Sequence, residues 1–191
     1  MQNQERMTDL SSLGFMATAV ACLTFGALYL NKITVEAFPL MACWLMAGGV
    51  LLFSVAKGSG IADGYVRVLF LLFAAFFLLA PALGLGLKYA LMKAGLPYDS
   101  RVEAFGWLAA AAFLTLSIPL TLRCHALLGL MLLLLTVVFW LLFIVNLYLA
   151  TRETLAAIIG WLFMIAGVLG VYIGAATAVN QAGGRAILPM P

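Results

Sequence analysis

Residues 126–150 read ALLGLMLLLLTVVFWLLFIVNLYLA, a stretch without a single charged side chain. The charge-free window around it extends from residue 124 to residue 151. A helix needs about 20 apolar residues to cross the hydrocarbon core of a bilayer. The window is continuously apolar and lacks the ten-residue alternation that marks the strands of a membrane barrel. It therefore predicts a transmembrane α-helix.

Five further charge-free windows of similar length cover residues 10–31, 37–56, 68–87, 104–122 and 154–184. The 191 residues are 66% hydrophobic and 9% charged, whereas soluble domains are about 25% charged. This composition excludes a soluble globular protein and a disordered chain. We place the membrane spans near residues 12–30, 35–56, 65–87, 104–122, 126–150 and 154–179. The prediction is an all-α membrane protein: one six-helix domain over residues 1–191, with tails at 1–11 and 180–191.

Prolines and glycines mark irregular places in these spans. Pro81 removes a hydrogen bond within span three and Pro119 does the same in span four, so both spans are expected to kink. Such a kink lines a cavity or merely serves packing.

In span six, Gly160, Gly167 and Gly174 lie seven residues apart on one stripe. This stripe is typical of a pore wall, of a subunit interface, or of close helix packing within one protomer.

The sequence offers little material for catalysis. His125 is the only histidine, and Cys22, Cys43 and Cys124 are most simply packing residues, so three converging metal ligands are not at hand. No nucleophile, metal-protease or nucleotide-binding motif occurs. We predict no enzyme activity, no catalytic residue, no metal and no cofactor. The ten basic residues are scattered, with net charge +3, which argues against nucleic acid as a partner.

Every carboxylate falls at or near the end of a predicted span, so no fixed charge is expected in mid-membrane. The deepest strongly polar side chain is Asn146, which contacts a solute or bonds span five to a neighbouring helix.

Lysines and arginines divide five to five between the two sides of the membrane, so the positive-inside rule assigns no orientation. The loop from Lys88 to Arg101 is expected to be the longest.

Several short motifs carry a resemblance to a known family. The segment GRAILP at residues 184–189 resembles the G-R-x-x-L-P ending of the acetate uptake transporter (AceTr) family, which includes the succinate–acetate permeases. Further matches follow in order along the chain: Leu13-Gly14, Lys57-Gly58, Pro81 with Leu83-Gly84-Leu85, Thr121-Leu122-Arg123, Thr136-Val137 with Phe139, Leu141-Leu142, and Asn146. The family's N-P-A-P-L-G-L signature is DLSSLGF here, so only its Leu-Gly pair is kept.

This resemblance implies six helices around a pore in each protomer, a hexamer, and termini on the cytoplasmic side. It also implies an apolar constriction formed by spans one, three and five, near Thr18, Leu69 and Leu135. Thr18 stands where the family has a bulky aromatic residue, and Phe15 lies nearby as a substitute. Asn146 lies three helical turns beyond Leu135, on the same helix face, and is expected to line the same pathway.

We therefore expect a channel or proton-linked transporter for small monocarboxylates such as acetate, with succinate as a further candidate. The expected partners are the carboxylate, the lipid bilayer and further copies of the chain, and the expected location is a bacterial or archaeal cytoplasmic membrane. Two other functions stay open at this point. One is a pore for a neutral amide, ammonia or a gas, and the other is a non-transporting membrane scaffold.

Overall fold

The computed structural model describes residues 10–58, 61, 63–123 and 125–190. Every secondary-structure element in this part of the chain is a helix. The main helices, numbered in chain order, are α1 (Ser11–Tyr29), α2 (Phe38–Lys57), α3 (Gly64–Lys93), α4 (Val102–Leu116), α5 (Ala126–Leu147) and α6 (Arg152–Gly183). Five helices are long and apolar enough to cross a membrane, and α4 is a shorter apolar helix. The prediction of an all-α integral membrane protein is confirmed. The predicted N-terminal tail up to residue 9, and Cys124, lie outside the described residues.

The end of α3 was predicted wrongly. The sequence places the end of this span at Leu87, but the helix continues to Lys93, so the following loop is shorter than expected. A charged residue ends a hydrophobic window without ending a helix. Lys88 lies within the helix, and its ammonium group pairs with Glu103 in the first turn of α4, at 2.7 Å between Nζ and Oε2.

The interruption expected at Pro81 is confirmed, and it lies one turn earlier in the chain. Residues Phe73–Leu79 form a π-helical segment within α3. Pro81 follows in the first turn of the second α-helical part of α3, Ala80–Lys93. The ring of Pro81 displaces the carbonyl of Phe77, four residues before it, and the wider π turn absorbs that displacement. The predicted break in span four is confirmed as well, since α4 ends at Leu116 and Ile118–Thr121 follows as a separate turn containing Pro119.

The glycine stripe of α6 packs against α1 within the protomer. A Cβ atom on Gly160 would lie 3.2 Å from the carbonyl oxygen of Gly26, and one on Gly174 would lie 3.1 Å from that of Ser12. Backbone atoms at this distance have little room to move away. The structure therefore favours helix packing as the role of the stripe, which then gives no support to a subunit interface.

Because α1 and α6 approach so closely, we expect Gly167→Ala to destabilise the protein. The added Cβ would lie 2.8 Å from the Leu23 side chain and 3.2 Å from the Leu23 backbone nitrogen. Overpacking of this kind costs about 1–3 kcal/mol. Gly86→Ala is the matched control, because nothing lies within 4 Å of its added Cβ. Thermal unfolding in detergent should show a lower melting temperature for Gly167→Ala alone, and equal melting temperatures would contradict the close approach.

Candidate transport pathway

A cavity of about 850 Å³ opens at one end of the bundle, and we call it the vestibule. Its walls come from the first residues of α1, α3 and α5 and the last residues of α6. The beginning of α1 and the end of α6 therefore lie at the same end of the molecule. Polar side chains line its rim, including Arg123, His125 and Asn180, while Phe15 lies in its wall.

Two features give the vestibule rim its electrostatic character. Arg123 and His125 are exposed, so an anion approaching this mouth meets a guanidinium group. The nearby carboxylate of Asp63 serves as a helix cap, because its Oδ1 accepts hydrogen bonds from the backbone nitrogens of Tyr65 at 2.8 Å and Val66 at 3.4 Å. Its negative charge is thus partly compensated by the start of α3. The rim can receive a small carboxylate.

Phe15, in the vestibule wall, packs against a second buried aromatic ring. Phe15 of α1 and Phe70 of α3 meet edge to face, with 5.2 Å between ring centroids. This contact requires glycine at position 14, since a Cβ there would overlap the Phe70 ring. The sequence predicted Phe15 and Leu69 for the pathway, and the ring that faces Phe15 belongs to the neighbouring residue, Phe70.

The three residues predicted for the constriction do not reach the vestibule. Thr18, Leu69 and Leu135 are all buried, at 1%, 3% and 0% exposure, and none of them lines the vestibule. The Thr18 hydroxyl donates to the carbonyl of Gly14 at 3.0 Å, within its own helix. A buried threonine satisfied in this way presents mainly its methyl group to its neighbours. These three positions are therefore closed to solvent and mostly apolar.

The interior of the bundle contains a group of six buried rings, which we call the aromatic plug: Phe25, Phe73, Phe77, Trp107, Phe139 and Phe163. These rings come from five of the six main helices. Phe77 contacts every other ring of the plug, at centroid separations from 5.4 to 6.4 Å. It belongs to the π-helical segment of α3, so the irregular turn carries the central ring.

The aromatic plug was missed by the sequence reasoning. One signal was available, because Phe70, Phe73 and Phe77 follow each other at helical spacing along span three. That spacing indicates a shared helix face, but not which rings of other helices meet it. The sequence also could not show that the turn around Phe77 is π-helical.

The far end of the pathway is polar again. The Asn146 side chain is nearly buried, and its Nδ2 donates to the carbonyl of Leu142 at 2.8 Å. Tyr29, at the end of α1, lies close enough for its hydroxyl to interact with the Asn146 amide. The ion pair of Lys88 and Glu103 lies at this same end of the bundle, where α3 ends and α4 begins.

Between these two polar ends the described part of the chain buries no ionisable aspartate, glutamate, lysine, arginine or histidine. The buried polar residues there are serines, threonines and Asn146. Nor do the described residues contain a group of three or more histidine, cysteine, aspartate or glutamate side chains placed to hold a metal ion. From one end to the other, the described residues thus form a polar vestibule, a buried and mostly apolar interior that contains the aromatic plug, and a second polar end.

Comparison of the sequence with protein-family models and with curated proteins finds no match. Comparison with solved structures does. The structure of the bacterial acetate channel SatP matches this one with a TM-score of 0.72 and 20% sequence identity. The match covers 96% of this chain and 99% of the SatP chain. The chain has the fold of the acetate channel. The resemblance to the acetate uptake transporters noted in its motifs is therefore confirmed at the level of the fold.

Proposed function

We propose that this protein is a channel or proton-linked transporter for small monocarboxylates such as acetate, with succinate as a further candidate. The observation that carries the proposal is the SatP fold over nearly the whole chain, combined with a pathway that has polar ends and an interior free of fixed charge. Phe15, Thr18, Leu69 and Leu135 form the constriction, and Asn146 contacts the solute beyond the aromatic plug.

An interior of this kind suits a substrate that carries its own proton. A carboxylic acid with a pKa near 4.3 is protonated in about one molecule in 500 at pH 7. The neutral acid enters an apolar layer at modest cost, whereas the anion loses hydration that no donor there replaces. Acetate flux should therefore follow the supply of the protonated acid or of a co-transported proton.

The decisive experiment is acetate uptake by purified protein in proteoliposomes, with and without an imposed pH gradient. Uptake above that of protein-free liposomes, increased by external acid, would support the proposal. Competition by unlabelled acetate and by urea separates a carboxylate pathway from a pore for neutral amides. Absence of any solute flux in a well-folded preparation would overturn the proposal in favour of a membrane scaffold.

Neutralising the carboxylates at the ends of the spans should leave appreciable acetate flux. We expect this for Glu36→Gln, Asp63→Asn, Glu103→Gln and Glu153→Gln, each measured separately at two external pH values. The physical reason is that the described interior buries no aspartate, glutamate, lysine, arginine or histidine that could relay the proton. Loss of flux in any one of these variants, with the protein still folded, would show that a fixed relay exists.

The loop carboxylate Asp99 does not complicate this measurement. The Arg101 side chain donates to Oδ2 of Asp99 at 2.7 Å and to Oδ1 at 3.0 Å, and it holds the pKa of Asp99 at about 2. Because the pKa is lowered, the group stays ionised at the pH of any transport assay and gains a proton only in strong acid. A change of flux between neutral and mildly acidic pH therefore cannot come from Asp99.

We further propose a hexamer in the cytoplasmic membrane of a bacterium or archaeon, with the vestibule on the cytoplasmic side. The resemblance to the acetate uptake transporters supports this arrangement. Large apolar residues are exposed on the outer faces of the helices, as at Leu40 and Trp44 of α2, and they fit contact with lipid or with neighbouring copies. Native mass spectrometry in mild detergent tests it, and a monomer under all conditions would rule it out.

A further inference from the structure

The residues that follow α6 fold back along that helix. Gly184 ends the helix in the left-handed conformation, with φ of +62°, which glycine adopts without strain. The chain then reverses, and the Asn180 side chain holds it by three hydrogen bonds. Its Oδ1 accepts from the backbone nitrogens of Ile187 at 2.7 Å and Leu188 at 2.8 Å, and its Nδ2 donates to the Leu188 carbonyl at 2.9 Å. We call residues 184–190 the strap.

A second anchor fixes the far end of the strap. The Tyr172 hydroxyl donates to the carbonyl of Pro189 at 2.8 Å, and the next residue, Met190, has its sulfur 3.9 Å from Oγ1 of Thr177. Met190 packs against the hydrophobic core and lines the vestibule together with Phe15. Two side chains of α6 thus hold an apolar residue of the strap in the vestibule wall.

We propose that the strap is a structural wall of the vestibule and that Met190 sets the size of the carboxylate admitted at this mouth. The inference rests on the proposed transport function and adds a specificity residue to it. The thioether of Met190 is flexible and apolar, so it limits width without opposing the negative charge of an anion. Arg185 is the only charged residue of the strap, so this wall does not repel a carboxylate.

Met190→Ala should raise the ratio of butyrate flux to acetate flux by about tenfold, the discrimination that one or two methylene groups give in an apolar site. Tyr172→Phe should raise the same ratio by less, because it loosens the strap without changing a vestibule residue. Ile187→Ala is the control, since Ile187 belongs to the strap but is half exposed and does not line the vestibule. An unchanged ratio in Met190→Ala and Tyr172→Phe, with melting temperatures near that of the wild type, would overturn the inference.

Cysteine labelling tests the strap without relying on transport. In a background where Cys22, Cys43 and Cys124 are replaced by alanine, Leu128→Cys places a thiol in the vestibule wall. Its reaction with a bulky methanethiosulfonate reagent should accelerate several-fold when Met190→Ala or Tyr172→Phe is added, and not with Ile187→Ala. Accelerated labelling without acetate flux would reject the proposed function and keep the strap. Acetate flux with unchanged labelling and an unchanged flux ratio would reject the strap alone.

Discussion

Phe77→Leu should raise acetate flux by about tenfold and let larger carboxylates through, as expected if the missing ring lowers the barrier by about 1.4 kcal/mol. Phe77 touches every other ring of the aromatic plug, so its replacement opens the one point where all of them meet. Leucine keeps the position apolar and retains the first side-chain carbons of phenylalanine, so that only the ring is lost. The measurement is initial uptake of acetate and butyrate into proteoliposomes, normalised to folded protein.

The matched control is Phe76→Leu. Phe76 precedes Phe77 in the same π-helical segment, but its side chain is 48% exposed on the outer surface. The two variants make the same chemical change in the same turn, so a general weakening of α3 would affect both. Increased flux in Phe77→Leu alone assigns the barrier to the plug. Equal flux in both variants and in the wild type would mean that the plug is only packing.

Leu135→Ala should change selectivity more than it changes acetate flux, admitting carboxylates of three or four carbons. Leu135 is fully buried, and its truncation removes apolar bulk from the proposed constriction. A large-to-small substitution in a core costs about 2–5 kcal/mol of stability. Flux must therefore be expressed per folded protein, with thermal unfolding measured beside it.

Leu130→Ala is the control for this variant, because Leu130 lies on the same helix with 47% of its side chain exposed. It makes the same truncation away from the proposed pathway. If Leu135→Ala were merely less stable, with selectivity equal to that of Leu130→Ala, Leu135 would be a packing residue and the constriction would lie elsewhere.

The spans could be predicted from the sequence because membrane insertion depends on a local property. A window of about 20 apolar residues crosses the bilayer whatever its neighbours are, and the windows at 10–31 and 126–150 correspond to α1 and α5. Proline acts locally too, so the interruption near Pro81 was predictable. The end of α3 was not, since Lys88 ends the apolar window but lysine is a good helix former, and the helix continues to Lys93.

The residues of the candidate site also fall into those that local sequence signals identified and those that depend on contacts between distant segments. Phe15 and Asn146 were placed on a pathway by motif resemblance and by helical spacing, and the structure puts Phe15 in the vestibule wall and Asn146 near the opposite end. Their roles in transport remain predictions. Phe70, Phe77 and Met190 were not identified, because each owes its place to a contact that spans many residues.

The sequence by itself determined that this is an all-α membrane protein, that two of its helices are interrupted near prolines, and that few charges enter the helices; it also located most of the helix ends. These properties follow from composition and spacing along one segment at a time. Only the tertiary structure decided which surfaces meet. It showed that the glycines of α6 pack against α1, that six aromatic rings fill the interior around Phe77, and that the strap folds back to the vestibule. Contacts between distant segments depend on how helices pack against each other, and neither hydropathy nor helical periodicity encodes that arrangement.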